Sequence, residues 1–119
     1  MKKCIISIIL ALTAYICSNA QDLNGKGTMT EHSFSHKGIK YTYYLYTPQN
    51  LKPGAPLLMV FHGYGSRDIP SIKYGFNPVA DKEGFVVCYP KGPKDHKGKE
   101  YWSVGYQFTI DKGEMRDDV

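Results

Sequence analysis

Five apolar residues in succession, Leu57-Leu58-Met59-Val60-Phe61, follow Pro56 and run directly into His62-Gly63-Tyr64-Gly65. An uninterrupted apolar run bounded by proline and glycine predicts a strand buried on both faces of a helix-covered parallel sheet. Such a strand commits the chain to an α/β layer arrangement. It also says where chemistry should be sought, because open α/β sheets bind ligands beyond the carboxyl ends of their strands. At that end Gly63 and Gly65 allow a sharp turn and a close backbone approach to a substrate. Exposed N–H groups on such a turn can stabilise a developing oxyanion. An ordinary tight turn, with glycine for its dihedrals and His62 for a local hydrogen bond, satisfies the same residues.

The surrounding pattern agrees with a mixed sheet. Residues 28–34 and 39–46 alternate loosely between polar and apolar, with His36-Lys37-Gly38 as the turn, and predict two antiparallel strands. Tyrosines fall on both faces of the second strand, as packing residues with hydroxyls at the rim or as a carbohydrate-stacking surface. Pro48, Pro53, Gly54 and Pro56 break the chain before Leu57. Residues 67–74 read as irregular. Asn77-Pro78 then predicts a helix cap with proline at the first helical position, and Gly84 the stop. Phe85-Val86-Val87-Cys88-Tyr89, ended by Pro90, is a further short strand, so strand, helix and strand follow in the order of a right-handed parallel crossover.

Residues 91–99 carry four lysines and no apolar residue, which predicts a solvated surface loop; near the site the same charge would attract an acidic substrate. Trp102, with Tyr101 before it and Tyr106 after, either lines a pocket or anchors this loop to the sheet edge.

The amino terminus reads as a secretory signal peptide over residues 1–20: Lys2 and Lys3, an apolar stretch from Ile5 to Ile16, then Ser18 and Ala20 before the cut. The apolar stretch is short of the roughly 20 residues that a spanning helix needs. Ile16 before Cys17 argues against a lipid anchor. Cys4 and Cys17 leave with the signal, so Cys88 stays alone as a small buried hydrophobe and stability must come from an apolar core. The net charge of +4 falls to +2 without Lys2 and Lys3, which gives no case for nucleic acid. The remainder, 21–119, is one domain, too short for a complete doubly wound hydrolase. Arg116-Asp117-Asp118-Val119 reads as the first turn of an unfinished helix, so a truncated amino-terminal part is expected.

A complete site is not expected within this chain. His32, His36, His62 and His96 do not cluster with acids or thiols at metal-ligand spacing, and no phosphate-loop pattern is present, so neither metal nor cofactor is implied. A serine nucleophile on a strand-to-helix elbow needs glycine two residues to either side. Ser66 has Tyr64 and Asp68 there, and Ser103 has Tyr101 and Gly105, so Ser103 is a decoy.

With these elements placed, the chain resembles the start of an α/β-hydrolase, closest in pattern to secreted polyhydroxybutyrate depolymerase-like and feruloyl or acetylxylan esterases. The resemblance lies in four stretches: residues 43–48, residues 56–65, residues 75–90, and Trp102-Ser103-Val104-Gly105 followed by Asp117-Asp118-Val119. It implies an antiparallel hairpin followed by the parallel strand-helix-strand crossover of such a sheet. It also implies that the backbone N–H of Tyr64, beside Gly63, forms one arm of an oxyanion hole, with His62 and Gly65 supporting the turn. Nucleophile, acid and base would lie outside the chain, leaving it inactive alone. The implied parent is an exported serine esterase cleaving plant-polysaccharide acyl esters or polyhydroxyalkanoate through an acyl-enzyme, secreted or periplasmic, without nucleic acid or a stable membrane anchor. The alternatives are an exported peptidase of the same architecture and a non-catalytic sugar-binding module using Tyr41, Tyr43 and Trp102.

Overall fold

The computed structural model describes residues 23–66 and 71–104. The signal segment, residues 67–70, Gly105, Tyr106 and the segment at Arg116-Asp117-Asp118-Val119 lie outside the described residues.

Strands β1 (Thr28–His36) and β2 (Ile39–Thr47) pair antiparallel from Thr28 opposite Thr47 to His36 opposite Ile39. Only Lys37 and Gly38 join them, at φ 49° and 79°. Two consecutive left-handed residues match the twist of the flanking strands, which makes this a tight two-residue hairpin. The chain continues through its proline-rich connection to β3 (Leu57–Met59), helices α1 (Ser71–Tyr74) and α2 (Phe76–Glu83), and β4 (Val86–Lys91). The sheet order is β1-β2-β4-β3, with β4 antiparallel to β2 and parallel to β3. The expected strand-helix-strand unit is therefore present, with its second strand between hairpin and first.

Helix α2 differs from the sequence reading at its start. It begins at Phe76, one residue before the expected cap, and Gly75 precedes it at φ 68° without a side-chain cap. Pro78 still falls in the first turn, where the N–H groups have no intrahelical acceptor and proline costs nothing. Asn77, only 2% exposed, is used for tertiary structure instead. Its Oδ1 accepts from the Tyr89 hydroxyl at 2.8 Å, and its Nδ2 donates to the Asn24 carbonyl at 3.0 Å. The stop is as expected: Gly84 sits at φ 77° and its N–H donates to Ala80 O. Residues 71–74, read as irregular, form a helical turn.

The core lies between one sheet face and α2. Tyr46, Val60, Val87 and Tyr89 meet Ala80 there, with Met29, Tyr44, Leu58, Phe76 and Phe85 packed around them. A strap formed by residues 24–27 closes one end. Tyr46 Oη donates to Asp81 Oδ1 at 2.7 Å and accepts from the Gly27 N–H at 2.6 Å, while the Lys26 N–H donates to Asp81 Oδ2 at 2.6 Å. A Cβ on Gly27 would run into the Thr47 carbonyl, so only glycine lets the strap lie this close.

The expectation of a strand buried on both faces is corrected here. Leu57, Met59 and Phe61 are 58%, 50% and 56% exposed, while the alternate residues Leu58 and Val60 face the core. The run is also shorter as a strand, three residues, and lies at the sheet edge among the described residues. An apolar run records which positions exclude polar side chains. It does not record what covers them, and here α2 covers one face while the other forms an open groove of about 620 Å³ lined, among the described residues, by strand and loop side chains. Cys88 backs this groove as a buried free thiol, and burial raises its pKa.

Candidate active site

Because β3 and β4 run parallel, the segments leaving their carboxyl ends emerge at the same sheet edge. The first is the turn at residues 60–66 and the second is the loop at 92–104. Val60 N–H donates to Cys88 O at 2.9 Å, carrying the pairing one residue past β3 and delivering His62 directly beside Gly92.

His62 is buried and both of its ring nitrogens are occupied. The Gly92 N–H donates to Nε2 at 2.8 Å, which assigns the ring proton to Nδ1, 2.8 Å from the Gly63 carbonyl that accepts it. Neither nitrogen is available to take a proton from a substrate. Trp102 covers the ring, with centroids 4.9 Å apart, and its Nε1–H donates to the His62 carbonyl at 2.9 Å. Phe61 meets Trp102 edge-on at 5.2 Å. Gly92 is required for this contact, since a Cβ there would meet the Tyr101 carbonyl.

The turn beyond His62 is tied to the same loop. Gly65, at φ 73°, donates its N–H to the Glu100 carbonyl at 2.8 Å, and the Ser66 N–H reaches Gly63 O at 3.4 Å. Gly63 does not occupy the left-handed region, so its dihedrals do not demand glycine; among the described residues a Cβ there would meet nothing within 4 Å, which leaves this stretch of backbone open to approach from them. Tyr64 is exposed, yet its hydroxyl donates to Asp95 Oδ2 at 2.6 Å and Lys99 Nζ stands 5.5 Å from its ring centroid.

The loop itself is less solvated than its composition predicts. Asp95 and Glu100 are both buried. Asp95 Oδ1 accepts from the N–H groups of Lys97 and Lys99, each at 2.8 Å, and Gly98 closes the turn at φ 71°. The Tyr64 hydroxyl, against the opposing effect of burial, holds the Asp95 carboxyl below its ordinary range. Lys91 is no free attractant for an acidic ligand either. Its Nζ lies 3.1 Å from Glu100 Oε1, and that bond raises its pKa. The signal for this organised loop was Asp95-His96-Lys97-Gly98, an aspartate that can accept from its own turn amides with glycine for the left-handed residue.

Of the pocket-lining candidates, Trp102 lines the open groove, whereas Tyr101 is 1% exposed and lies in the interior. Tyr41 and Tyr43 line the same groove, with their ring faces stacked on Phe34 at 5.4 Å and His32 at 5.3 Å. Ser103 is buried. Among the described residues no three histidine, cysteine or acidic side chains gather as a metal site would require.

Comparison with known proteins adds two likenesses. No protein-family model matches the chain. Over 69 residues it is 34% identical to the bifunctional acetylxylan esterase/xylanase XynS20E of Neocallimastix patriciarum, covering 57% of this chain and 10% of that protein. A thermostable esterase from Pseudomonas putida ECU1011, known by crystal structure, aligns at a TM-score of 0.52 with 23% identity over 87% of this chain. This chain spans 31% of that structure. The mixed four-stranded sheet with its packed helix is thus similar in fold to part of that esterase structure.

Proposed function

We propose that this chain is the amino-terminal part of an exported serine esterase of α/β-hydrolase type, acting on acyl esters of plant polysaccharide or on polyhydroxyalkanoate. The observation that carries the reading is the corner at residues 62–65: an approachable backbone beyond a parallel strand, locked from behind by a histidine with no nitrogen left for proton transfer. The two esterase likenesses support the ester class.

In this reading the Tyr64 N–H supplies one arm of the oxyanion hole. A serine of the full-length protein adds to the ester carbonyl, and its proton passes through a general base to the departing alcohol. Water then cleaves the acyl-serine bond and releases the acid. The carbonyl oxygen gains charge in both steps, so a fixed donor stabilises both transition states more than either ground state. Residues 1–20 direct export, and the mature enzyme acts outside the cytoplasm.

The test uses the full-length protein with p-nitrophenyl acetate, acetylated xylan and polyhydroxybutyrate as substrates, and an alkyl phosphonate as a covalent label. Ester turnover blocked by phosphonate on a single serine is the expected result. Absence of turnover on all three esters, or turnover untouched by the phosphonate, would overturn the proposal.

A further inference from the structure

We propose that Asp95 is a positioning residue of this ester-cleaving site, holding the Tyr64 main chain in register with the substrate carbonyl through the Tyr64 phenol. The inference rests on the oxyanion role given to the Tyr64 N–H above.

An exposed tyrosine ordinarily exchanges between rotamers, and a glycine-flanked surface turn is itself a mobile stretch of backbone unless side chains tie it down. Here the ring is gripped at its tip by Asp95 Oδ2 and approached over its face by Lys99. The residue that follows is gripped through its main chain, Gly65 N–H to Glu100 O. Both grips come from one loop, so Tyr64 and Gly65 are tied to the same stretch of chain.

Asp95 is itself held by its own turn. Beyond the two turn amides on Oδ1, its own N–H donates to Lys99 O at 2.8 Å, and Gly98 N–H donates to its carbonyl at 2.9 Å. An aspartate serving only as a turn former would be satisfied through Oδ1 alone. The second oxygen, directed across 31 positions of sequence at a phenol beside the candidate oxyanion corner, does what the turn does not require. A charged acceptor also gives a shorter and stronger bond than a neutral one, which suits a device meant to hold a half-exposed side chain.

The experiment measures p-nitrophenyl acetate kinetics in the full-length protein. Wild-type turnover is established first; if there is none, the esterase reading fails and Asp95 has no site to position. Given turnover, Tyr64→Phe and Asp95→Ala are each expected to lower kcat about tenfold, because a displaced donor loses only part of its transition-state contact. KM should stay within about twofold, as for an interaction felt mainly in the transition state. Asp95→Asn keeps an acceptor for the turn and offers an amide to the phenol oxygen, so it should recover most of the loss. The double variant should be no slower than Asp95→Ala, since both substitutions break one link. A Tyr64→Phe enzyme with unchanged kcat, a change confined to KM, or losses that multiply in the double variant would each overturn the proposal while leaving the esterase reading intact. Should Asp95→Ala fail to fold, Tyr64→Phe and Asp95→Asn decide the matter alone.

Discussion

Tyr46→Phe isolates the strap that closes the core. The substitution removes one oxygen and leaves the buried ring in place, so the cost comes from partners rather than from a cavity. Gly27 N–H loses its acceptor, and an unsatisfied amide costs about 1–3 kcal/mol where water cannot replace the bond. Asp81 loses a charge-assisted bond but keeps the Lys26 N–H and is only half-buried, so water recovers part of that loss. The net expectation is about 2 kcal/mol. A pH signature separates this from generic damage. Burial, and then the Asp81 contact, push the Tyr46 phenol up to about 12. An unfolded tyrosine releases its proton near pH 10, whereas the folded protein holds it to near 12. Stability from this group is therefore complete below pH 10 and falls as pH rises through 12. At pH 11 the wild type gives up about 1 kcal/mol that Tyr46→Phe never had. Urea unfolding of the full-length protein, followed by amide exchange in residues 24–27 and α2, measures both effects. A deficit below about 0.5 kcal/mol at pH 7, or one that does not shrink between pH 7 and 11, would refute the strap as a stabilising network.

Two further substitutions probe the other buried polar contacts. Asn77→Ala strands the wholly buried Tyr89 hydroxyl and the Asn24 carbonyl, and should cost about 2–4 kcal/mol in a thermal or urea melt, against about 1 kcal/mol if Asn77 were only a helix cap. His62→Phe keeps a ring beneath Trp102 but offers Gly92 no acceptor, so both the melting temperature and kcat should fall; full activity would remove the brace.

What was legible in the sequence is what short-range pattern controls. The hairpin, the break at Pro48 to Pro56, the Gly84 stop and the strand at residues 85–89 all follow from alternation or from glycine and proline. The turn at His62 was found the same way. What could not be read depends on partners far away in the chain. Asn77 resembles a cap until Tyr89 and Asn24 are beside it, and Asp95 resembles a solvated loop residue until Tyr64 arrives. The exposure of Leu57, Met59 and Phe61 is illegible for the same reason, since hydropathy does not say which sheet face a helix will cover.

The sheet's mixed polarity also separates stability from chemistry. Antiparallel pairing sets Tyr46 opposite Val87, near the start of β4, so the strap with Gly27 and Asp81 closes the end of the sheet away from the loops. Parallel pairing brings the ends of β3 and β4 together at the other end of the sheet, where His62 and Gly92 meet. Residues at opposite ends of a rigid sheet share no partners, so their effects should add. Tyr46→Phe should therefore lower stability at unchanged kcat, while Tyr64→Phe should lower kcat by more than its loss of the Asp95 bond lowers stability. A strap variant that slowed turnover as much as it destabilised the fold would mean that the corner is not held locally by the β4 loop, and that the whole sheet sets its geometry.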